Sequence, residues 1–239
     1  MIRIIRGIVL QAVDSGDFDQ KLTVYSLEFG KFKAKVAGVK KAVSKLRSLS
    51  QPFAESRLQI YLHGTVRAGV NDPGKLIGGE TERHHPRLRS ELNRMTQAHV
   101  FCETLDLLTK TFYPNEAEYG LLSDTLKSLE ETEFPALVRI RSTLILLKIL
   151  GYGLRHHPQW KALPPSDSGL LLRLGAWPAA RDRFSDEESR ALNHITQSYL
   201  SQFLPMPLKS ELFMRKMAAD RAFSEEVPLP SICDKKAAA

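Results

Sequence analysis

The first eighty residues alternate apolar and polar positions in the way that is typical of β-strands. Within residues 2–13, Ile8, Leu10 and Ala12 fall on one face. Four further strand-like runs follow, at residues 21–29, 31–36, 57–62 and 65–70. Polar residues 14–17 predict a turn, and Gly30 predicts a hairpin. Five short strands within about seventy residues favour a small closed barrel over an open sheet.

The apolar period changes after these strands from two residues to three and four. A set of turn-forming residues predicts the break: Asn71, Asp72, Pro73, Gly74, Gly78 and Gly79. Beyond Pro86, apolar side chains recur at Ala98, Phe101, Leu105 and Leu108 with helical spacing. The second part of the chain is therefore predicted to be helical.

Helix boundaries can be placed from capping residues. Asn115 with Glu118 three residues later forms a variant of the capping box, and Pro135 suits the first position of the next helix. That helix is apolar nearly all round as far as residue 150, so we expect it at the centre of a helical domain. Ser185 with Glu188 opens another helix.

The remaining C-terminal segments carry weaker patterns. Residues 154–184 contain Pro158, Pro164 and Pro165 and have no assigned element. A last short helix is predicted from Leu208 to Ala219. The chain is thus predicted to be a multidomain α+β protein: a five-stranded barrel over residues 1–80, an all-α domain over residues 81–223 and a loosely held tail over residues 224–239.

The net charge of the chain indicates which kind of partner it binds. The 239 residues carry a formal net charge of +7 and a pI near 9.4, while 43% of them are hydrophobic and 26% are charged, as in an ordinary soluble protein. An excess of positive charge favours acidic partners, with nucleic acid first and acidic protein tails second. No apolar run is long enough for a membrane span and no secretory signal opens the chain, so we expect a cytoplasmic protein without a membrane partner.

Residues 30–53 form a basic stretch in which positive charges have no sequence neighbour of opposite sign. No Asp or Glu occurs between Lys31 and Ala54. The cations on one predicted strand face and in the following loop are Lys31, Lys33, Lys35, Lys40, Lys41, Lys45 and Arg47. Seven charges of one sign repel one another unless an outside anion neutralises them, so this stretch predicts a polyanion-binding surface. The alternative is a solvated strand face followed by a mobile basic loop.

The barrel and the basic stretch together indicate an oligonucleotide-binding fold. The exposed strand face of this five-stranded barrel and its adjoining loops are a common site for single strands. We expect the basic side chains to neutralise backbone phosphates without reading base sequence. Tyr25 and Tyr61 would stack on bases if they lie on the basic face, and core packing is the alternative for both.

Residues that would carry covalent chemistry are not found in any recognisable pattern. The sequence has no glycine-rich phosphate loop, no nucleophile elbow and no zinc signature, so no catalytic residue, cofactor or metal is predicted. Arg139 and Arg141 begin the most apolar helix but do not share one helical face. Either they extend along the helix surface, or a guanidinium captures a carboxylate of an acidic partner tail.

Several motifs in order along the chain resemble the bacterial RecO family of recombination mediators. The matching residues are Gly38, Lys40, Ser44, Leu46, Gln51-Pro52-Phe53, Arg141 to Leu147, Leu150-Gly151-Tyr152, Pro207 to Ser210 and Leu212-Phe213. Ser50 stands where this family usually has leucine. Many relatives also carry a four-cysteine zinc site after the Leu-Gly-Tyr turn, whereas residues 154–160 here contain no cysteine.

The resemblance implies an oligonucleotide-binding barrel followed by a helical domain. It also implies a monomeric, nucleoid-associated protein that binds single- and double-stranded DNA and anneals complementary strands. Its implied partners are RecR and the acidic C-terminal tail of single-stranded-DNA-binding protein, which together allow RecA to load. Two other classes remain open from the residues alone: an RNA-binding module and a scaffold that mainly holds other proteins.

Overall fold

The computed structural model describes residues 1–62, 74–177, 184–214 and 216–217. Its strands are β1 (Ile2–Asp14), β2 (Gln20–Ser26), β3 (Gly30–Val36), β4 (Glu55–Tyr61) and β5 (Gly74–Arg83). They form a closed barrel in the order β1-β2-β3-β5-β4, and only β3 and β5 pair in parallel. This arrangement confirms the predicted oligonucleotide-binding barrel followed by helices.

The long first strand closes the barrel by serving two neighbours. Residues 2–8 of β1 pair with β4, and residues 7–14 pair with β2 across a register shift between Val9 and Gln11. A bulge of this kind bends a strand and allows it to turn from one neighbour to the other. Phe32, Ala34 and Val36 of β3 point inward and are fully buried, as their alternation with lysines predicts.

The fifth strand differs from its prediction. Predicted strand 65–70 lies outside the described residues, and Gly74, Gly78 and Gly79, predicted to break the strands, belong to β5. Gly79 has a φ of +151°, and a Cβ there would collide with the carbonyl oxygen of Arg57 on β4. Gly79 therefore does not break the strand; it allows two strands to approach each other closely, which is a common reason for glycine inside a sheet.

Three of the helices begin where the sequence predicts, after Asn115, at Pro135 and after Ser185. The helices are α1 (Pro86–Ser90), α2 (Leu92–Leu108), α3 (Glu116–Glu131), α4 (Pro135–Ile149), α5 (Pro158–Ala162), α6 (Pro165–Ala176) and α7 (Asp186–Leu200). The Asn115 side chain accepts the amides of Ala117 and Glu118, and Ser185 forms a complete capping box with Glu188. A 3-10 turn, α5 and α6 occupy most of the segment that sequence patterns left unassigned, and helical residues resume at 209–214 and 216–217.

Helix α4 lies at the centre of the helical part, as its all-round apolar sequence predicts. Leu137, Ile140 and Leu147 pack in a cluster with residues of α6 and α7, while Val138 and Leu146 belong to a second cluster with α2 and α3. None of the described helices is long and apolar enough to cross a membrane. Predicted tail 224–239 lies outside the described residues.

The barrel and the helices share one apolar cluster. It joins residues from β1, β2 and the end of the basic loop to residues of α2, α3 and α4. Its larger members are Ile8, Leu10, Tyr25, Phe53, Phe101, Leu105, Leu122, Leu126 and Leu146. The change from strands to helices falls between Arg83 and Pro86, close to the boundary predicted after residue 80. The shared cluster fixes which part of the barrel surface stays exposed.

Candidate nucleic-acid interface

The three lysines of β3 share an outer face but not the same surroundings. The Nζ of Lys31 lies 3.1 Å from Oδ1 of Asp106 and 2.7 Å from the carbonyl oxygen of Thr109. Its side chain is only 12% exposed. Lys31 thus ties β3 to the end of α2, because the helices cover this part of the strand. We therefore remove it from the predicted polyanion surface, whereas Lys33 and Lys35 remain exposed.

Strand pairing adds two lysines that the sequence patterns did not indicate. Lys21 on β2 lies opposite Lys35, and Lys35 is in register with Lys75 on the parallel neighbour β5. All three are exposed. Like charges side by side on a sheet are destabilising, so this row lowers stability unless an anion offsets the repulsion. The alternation of residues along β2 could have indicated that Lys21 is exposed on the outer face. Lys75 could not be found in this way, because its segment was predicted to be a turn.

The basic loop, residues 37–54, is held in place by acidic residues at the end of β1 and in the β1–β2 connection. Asp19 accepts the Gly38 amide at 2.9 Å and lies 3.1 Å from Nζ of Lys35. Asp14 lies 2.6 Å from Nζ of Lys40. The hydrogen bonds from Gly38 and Lys40 lower the pKa of Asp19 and Asp14, respectively. The expectation that the stretch has no local counter-charge is therefore wrong, since the fold supplies three: Asp106, Asp19 and Asp14.

The other cations of this region keep their charge available. Among the described residues, no carboxylate forms an ion pair with Lys33, Lys41 or Lys45. Arg47 donates through Nη2 to the carbonyl oxygens of Lys40 and Lys41, both at 3.3 Å. These bonds brace the loop while the guanidinium stays charged.

A cleft of about 360 Å³ opens between the basic loop and strands β1 and β2. Lys40, Arg47 and Gln51 are among its lining residues. We use "basic surface" for the exposed cations of the barrel and its loop: Lys21, Lys33, Lys35, Lys40, Lys41, Lys45, Arg47 and Lys75. Of these side chains, Lys40 and Arg47 line the cleft, and the eight cations together make this face a candidate anion-binding surface.

The two candidate stacking residues lie in different environments. Tyr25 is fully buried, and its hydroxyl donates to the carboxylate of Glu118 on α3. Burial raises the pKa of Tyr25, so it remains a neutral donor. A role in base stacking is excluded for Tyr25 by this packing. Tyr61 is 37% exposed and lies in register with Lys75 at the edge of the basic surface.

Arg139 and Arg141 also separate. Arg139 is 2% exposed, and its Nε donates to Oε1 of Gln97 at 2.6 Å, while Nη2 donates to the Asn193 side chain. Burial lowers its pKa to about 10, so it stays charged at neutral pH. Arg139 thus joins α2, α4 and α7 inside the helical part. The prediction that it binds an acidic tail conflicts with this burial.

Arg141 lies on the opposite side of α4, on the wall of a cavity of about 530 Å³. Its Nε is buried and has no hydrogen-bond partner among the described residues. Val138, Ile145 and Trp177 give the same cavity an apolar wall, and acidic residues also line it. Of the two arginines, only Arg141 is placed to meet a carboxylate beside an apolar surface.

Comparison with known proteins identifies the family. The family model described as "Recombination protein O N terminal" matches residues 1–68, and "Recombination protein O C terminal" matches residues 89–157. The chain belongs to the RecO family. The resemblance predicted from the sequence motifs is confirmed.

Similar curated proteins carry the name DNA repair protein RecO. Those of Pelotomaculum thermopropionicum and Moorella thermoacetica are each 36% identical, over 61% and 62% of this chain. These matches cover 54% and 53% of the relatives, so the chain aligns with about half of their length. The protein of Gloeothece citriformis is 28% identical over 88% of this chain and 71% of its own length.

The RecO motif Gln51-Pro52-Phe53 has a structural role in this chain. Arg89 of α1 donates to the Gln51 side chain and, at 3.2 Å, to the carbonyl oxygen of Pro52. Phe53 is buried, with its ring 4.7 Å from that of His99 on α2. The motif therefore joins the end of the basic loop to the helices. It orients the loop without itself belonging to the basic surface.

The sequence has two pairs of adjacent histidines, His84-His85 and His156-His157, and neither is arranged to hold a metal. Within the described ranges, no group of three or more His, Cys, Asp or Glu side chains is placed to hold an ion. His157 instead caps α5 by accepting the Gln159 amide at 3.3 Å and packs against the ring of Tyr199. His85 is buried, and burial lowers its pKa.

Proposed function

We propose that this RecO-family chain is a DNA repair and recombination protein that binds single- and double-stranded DNA through the basic surface. The proposal rests above all on the row of Lys21, Lys35 and Lys75 beside a basic loop that the fold holds in place. The names of its relatives support the same role. The protein would act by binding, with no covalent step.

Phosphate contacts by lysines and Arg47 position a strand but do not select its sequence. Two complementary strands on one cationic surface lose much of their mutual repulsion and meet at a raised effective concentration. Annealing needs little beyond these two effects. We therefore propose strand annealing as the activity of the basic surface.

The proposed partners follow from the family. They are RecR, and the acidic C-terminal tail of single-stranded-DNA-binding protein, through which RecA would load onto DNA. Arg141 and the apolar wall of its cavity support the acidic-tail contact, because a guanidinium beside an apolar surface suits a terminal carboxylate with an apolar neighbour. Asp124 and Glu131 line this cavity too, so the carboxylate would have to approach at the Arg141 end.

Charge reversal tests the DNA-binding proposal. The variant Lys33→Glu, Lys41→Glu, Lys45→Glu removes exposed cations and leaves the ion pairs of Asp14 and Asp19 intact. If about five cations contact phosphates, the log–log salt dependence of single-strand affinity in the wild type has a slope near −3.5, at ~0.7 per contact. We expect the variant to reduce this slope by about 2 and to weaken binding at least about tenfold at low salt.

Lys110→Glu, Lys127→Glu, Lys148→Glu is the matched control, since it makes the same charge change at exposed positions outside the barrel. Fluorescence anisotropy of a labelled strand over a salt series compares the two variants. A wild-type affinity that hardly changes with salt would rule out phosphate binding. Equal weakening by both triple variants would mean that net charge matters and the basic surface does not.

A further inference from the structure

One large aromatic side chain lies exposed inside the basic surface. Phe18, in the connection between β1 and β2, is 53% exposed. The Nζ of Lys41 lies over its ring, 5.6 Å from the centroid. The Phe18 carbonyl oxygen accepts the amide of Lys40 at 3.1 Å. Phe18 therefore belongs to the same surface as the basic loop.

The chain segment that carries Phe18 is fixed to the basic loop on both sides of this residue. Asp19, the next residue, accepts the Gly38 amide, and Asp14, at the end of β1, pairs with Lys40. These bonds join the Phe18 segment to the basic loop at three points, counting the Lys40 amide. An isolated exposed aromatic residue is ordinary on a protein surface. An exposed ring on a braced segment, with an ammonium group over it, is a more specific arrangement.

Exposed aromatic rings and cations combine in proteins that hold single-stranded nucleic acid. The cations follow the sugar-phosphate backbone, and each ring stacks on a base whatever the base is. A duplex offers phosphates to the same cations, but its bases are already stacked on one another. A ring in a basic surface thus adds affinity for unpaired strands and almost none for paired ones.

We propose that Phe18 stacks on an unpaired base while Lys40, Lys41 and Arg47 contact the neighbouring phosphates. This inference rests on the proposed function and deepens it, because it gives the basic surface a preference for single strands. The cation–π contact between the Lys41 ammonium and the Phe18 ring helps to keep the ring in its exposed orientation. The preference would direct an annealing protein to DNA that still needs a partner strand.

The test compares Phe18→Ala with the wild type on a single strand and on its duplex. We expect single-strand affinity to fall about five- to tenfold, the low end for one base–aromatic stack, because only half of the residue is exposed. Duplex affinity should change less than about twofold. The salt slope should stay the same, since the phosphate contacts remain.

Two further measurements separate stacking from a role in folding. Phe18→Tyr should restore single-strand affinity, because tyrosine also offers an aromatic face. On an abasic strand of equal length, the wild type and Phe18→Ala should bind equally, because no base is present. Phe213→Ala is the matched control, since Phe213 is also 53% exposed but lies in the C-terminal helical residues.

Each outcome has one meaning. Equal loss of single-strand and duplex binding in Phe18→Ala would overturn stacking and assign Phe18 to the folding of the loop. Unchanged single-strand binding would overturn it as well, while salt-dependent binding in the wild type would leave the proposed function standing. A wild type that binds no DNA at low salt would overturn the proposed function itself.

Discussion

Two arginines on one helix show how far a single residue's role depends on its position. Arg139 and Arg141 are separated by about 200° around α4, at 100° per residue, so they face opposite sides. Arg139 donates to Gln97 and Asn193 and supports the packing of three helices. Arg141 reaches a cavity wall with its Nε unpaired within the described residues. Only the second arginine can serve in recognition without unfolding the protein.

The role of Arg141 can be tested by a single substitution. We expect Arg141→Ala to weaken an acidic peptide with a free C-terminal carboxylate and a terminal apolar residue by about tenfold or more, the value of one charge-assisted hydrogen bond. Anisotropy of a labelled peptide measures the change. Arg190→Ala, an exposed arginine on α7, is the control. Peptide binding that is equal in the wild type and both variants would remove Arg141 from the proposed site.

At the scale of elements, the basic loop is a structured part of the barrel. Gly38, with a φ of +65°, turns the chain out of β3 and donates its amide to Asp19. Val39 and Leu49 insert into the barrel core, and Phe53 closes the loop by donating its amide to the Val9 carbonyl oxygen at 2.8 Å. The alternative of a mobile basic loop is therefore at odds with the packing. The loop presents its cations in a defined arrangement.

Asp19 is the residue that tests this arrangement. Asp19→Ala removes the acceptor of the Gly38 amide and the partner of Lys35, so exchange of the Gly38 amide proton should accelerate by on the order of tenfold. Asp19→Asn keeps an acceptor and should have a smaller effect. Hydrogen exchange followed by NMR measures both, and Asp17→Ala, an exposed position in the same connection, is the control. Exchange that is equally fast in all four proteins would show that the loop is not anchored there.

The same anchor has a pH dependence of known sign. The pKa of Asp19 is lowered in the folded protein from its ordinary value of 3.8. Its contribution is therefore complete above the ordinary value and is lost as the pH falls through the lowered one. The chemical shift of the Gly38 amide proton should titrate with a midpoint below 3.8.

At the scale of the whole molecule, the barrel and the helices are joined by polar as well as apolar contacts. Glu55 on β4 accepts hydrogen bonds from Tyr119 and Ser123 of α3, and Lys31 pairs with Asp106 of α2. Tyr25 donates from β2 to Glu118, which is also buried. Removing one part would leave buried polar groups and apolar surface of the other without partners. We therefore expect the two parts to unfold together.

Tyr25→Phe tests this coupling. It leaves the buried Glu118 carboxylate without one donor, so the free energy of unfolding should fall by about 1–3 kcal/mol. Both tryptophans, Trp160 and Trp177, lie in the helical part, so their fluorescence reports on the helices, while NMR signals of amides in β1 to β4 report on the barrel. Both signals should shift by the same amount in denaturant. Tyr113→Phe, at a side chain that is largely exposed, should leave both unchanged.

Separate transitions for the two signals would contradict the coupling, as would a shift of the barrel signal alone. The control protects against a general effect of removing a tyrosine hydroxyl. Coincident transitions are also the standard test for a single cooperative unit.

Local patterns in the sequence were sufficient for much of this protein. Alternation placed Phe32, Ala34 and Val36 in the core, and capping residues placed the starts of α3 and α7. These features depend on neighbours within a few residues, whose chemistry is visible in the sequence. The excess of cations in residues 30–53 and the RecO motifs were visible for the same reason.

Only the tertiary structure decided which of those cations face solvent. Lys31 and Lys33 have the same residue type, strand and face, yet α2 packs against one and leaves the other exposed. Lys75 joins the basic surface because β3 and β5 pair in parallel across a long separation in sequence. Phe18 enters it because Asp14 and Asp19 hold the basic loop beside it. Contacts between distant segments set exposure and charge pairing, and periodicity along the chain carries no record of them.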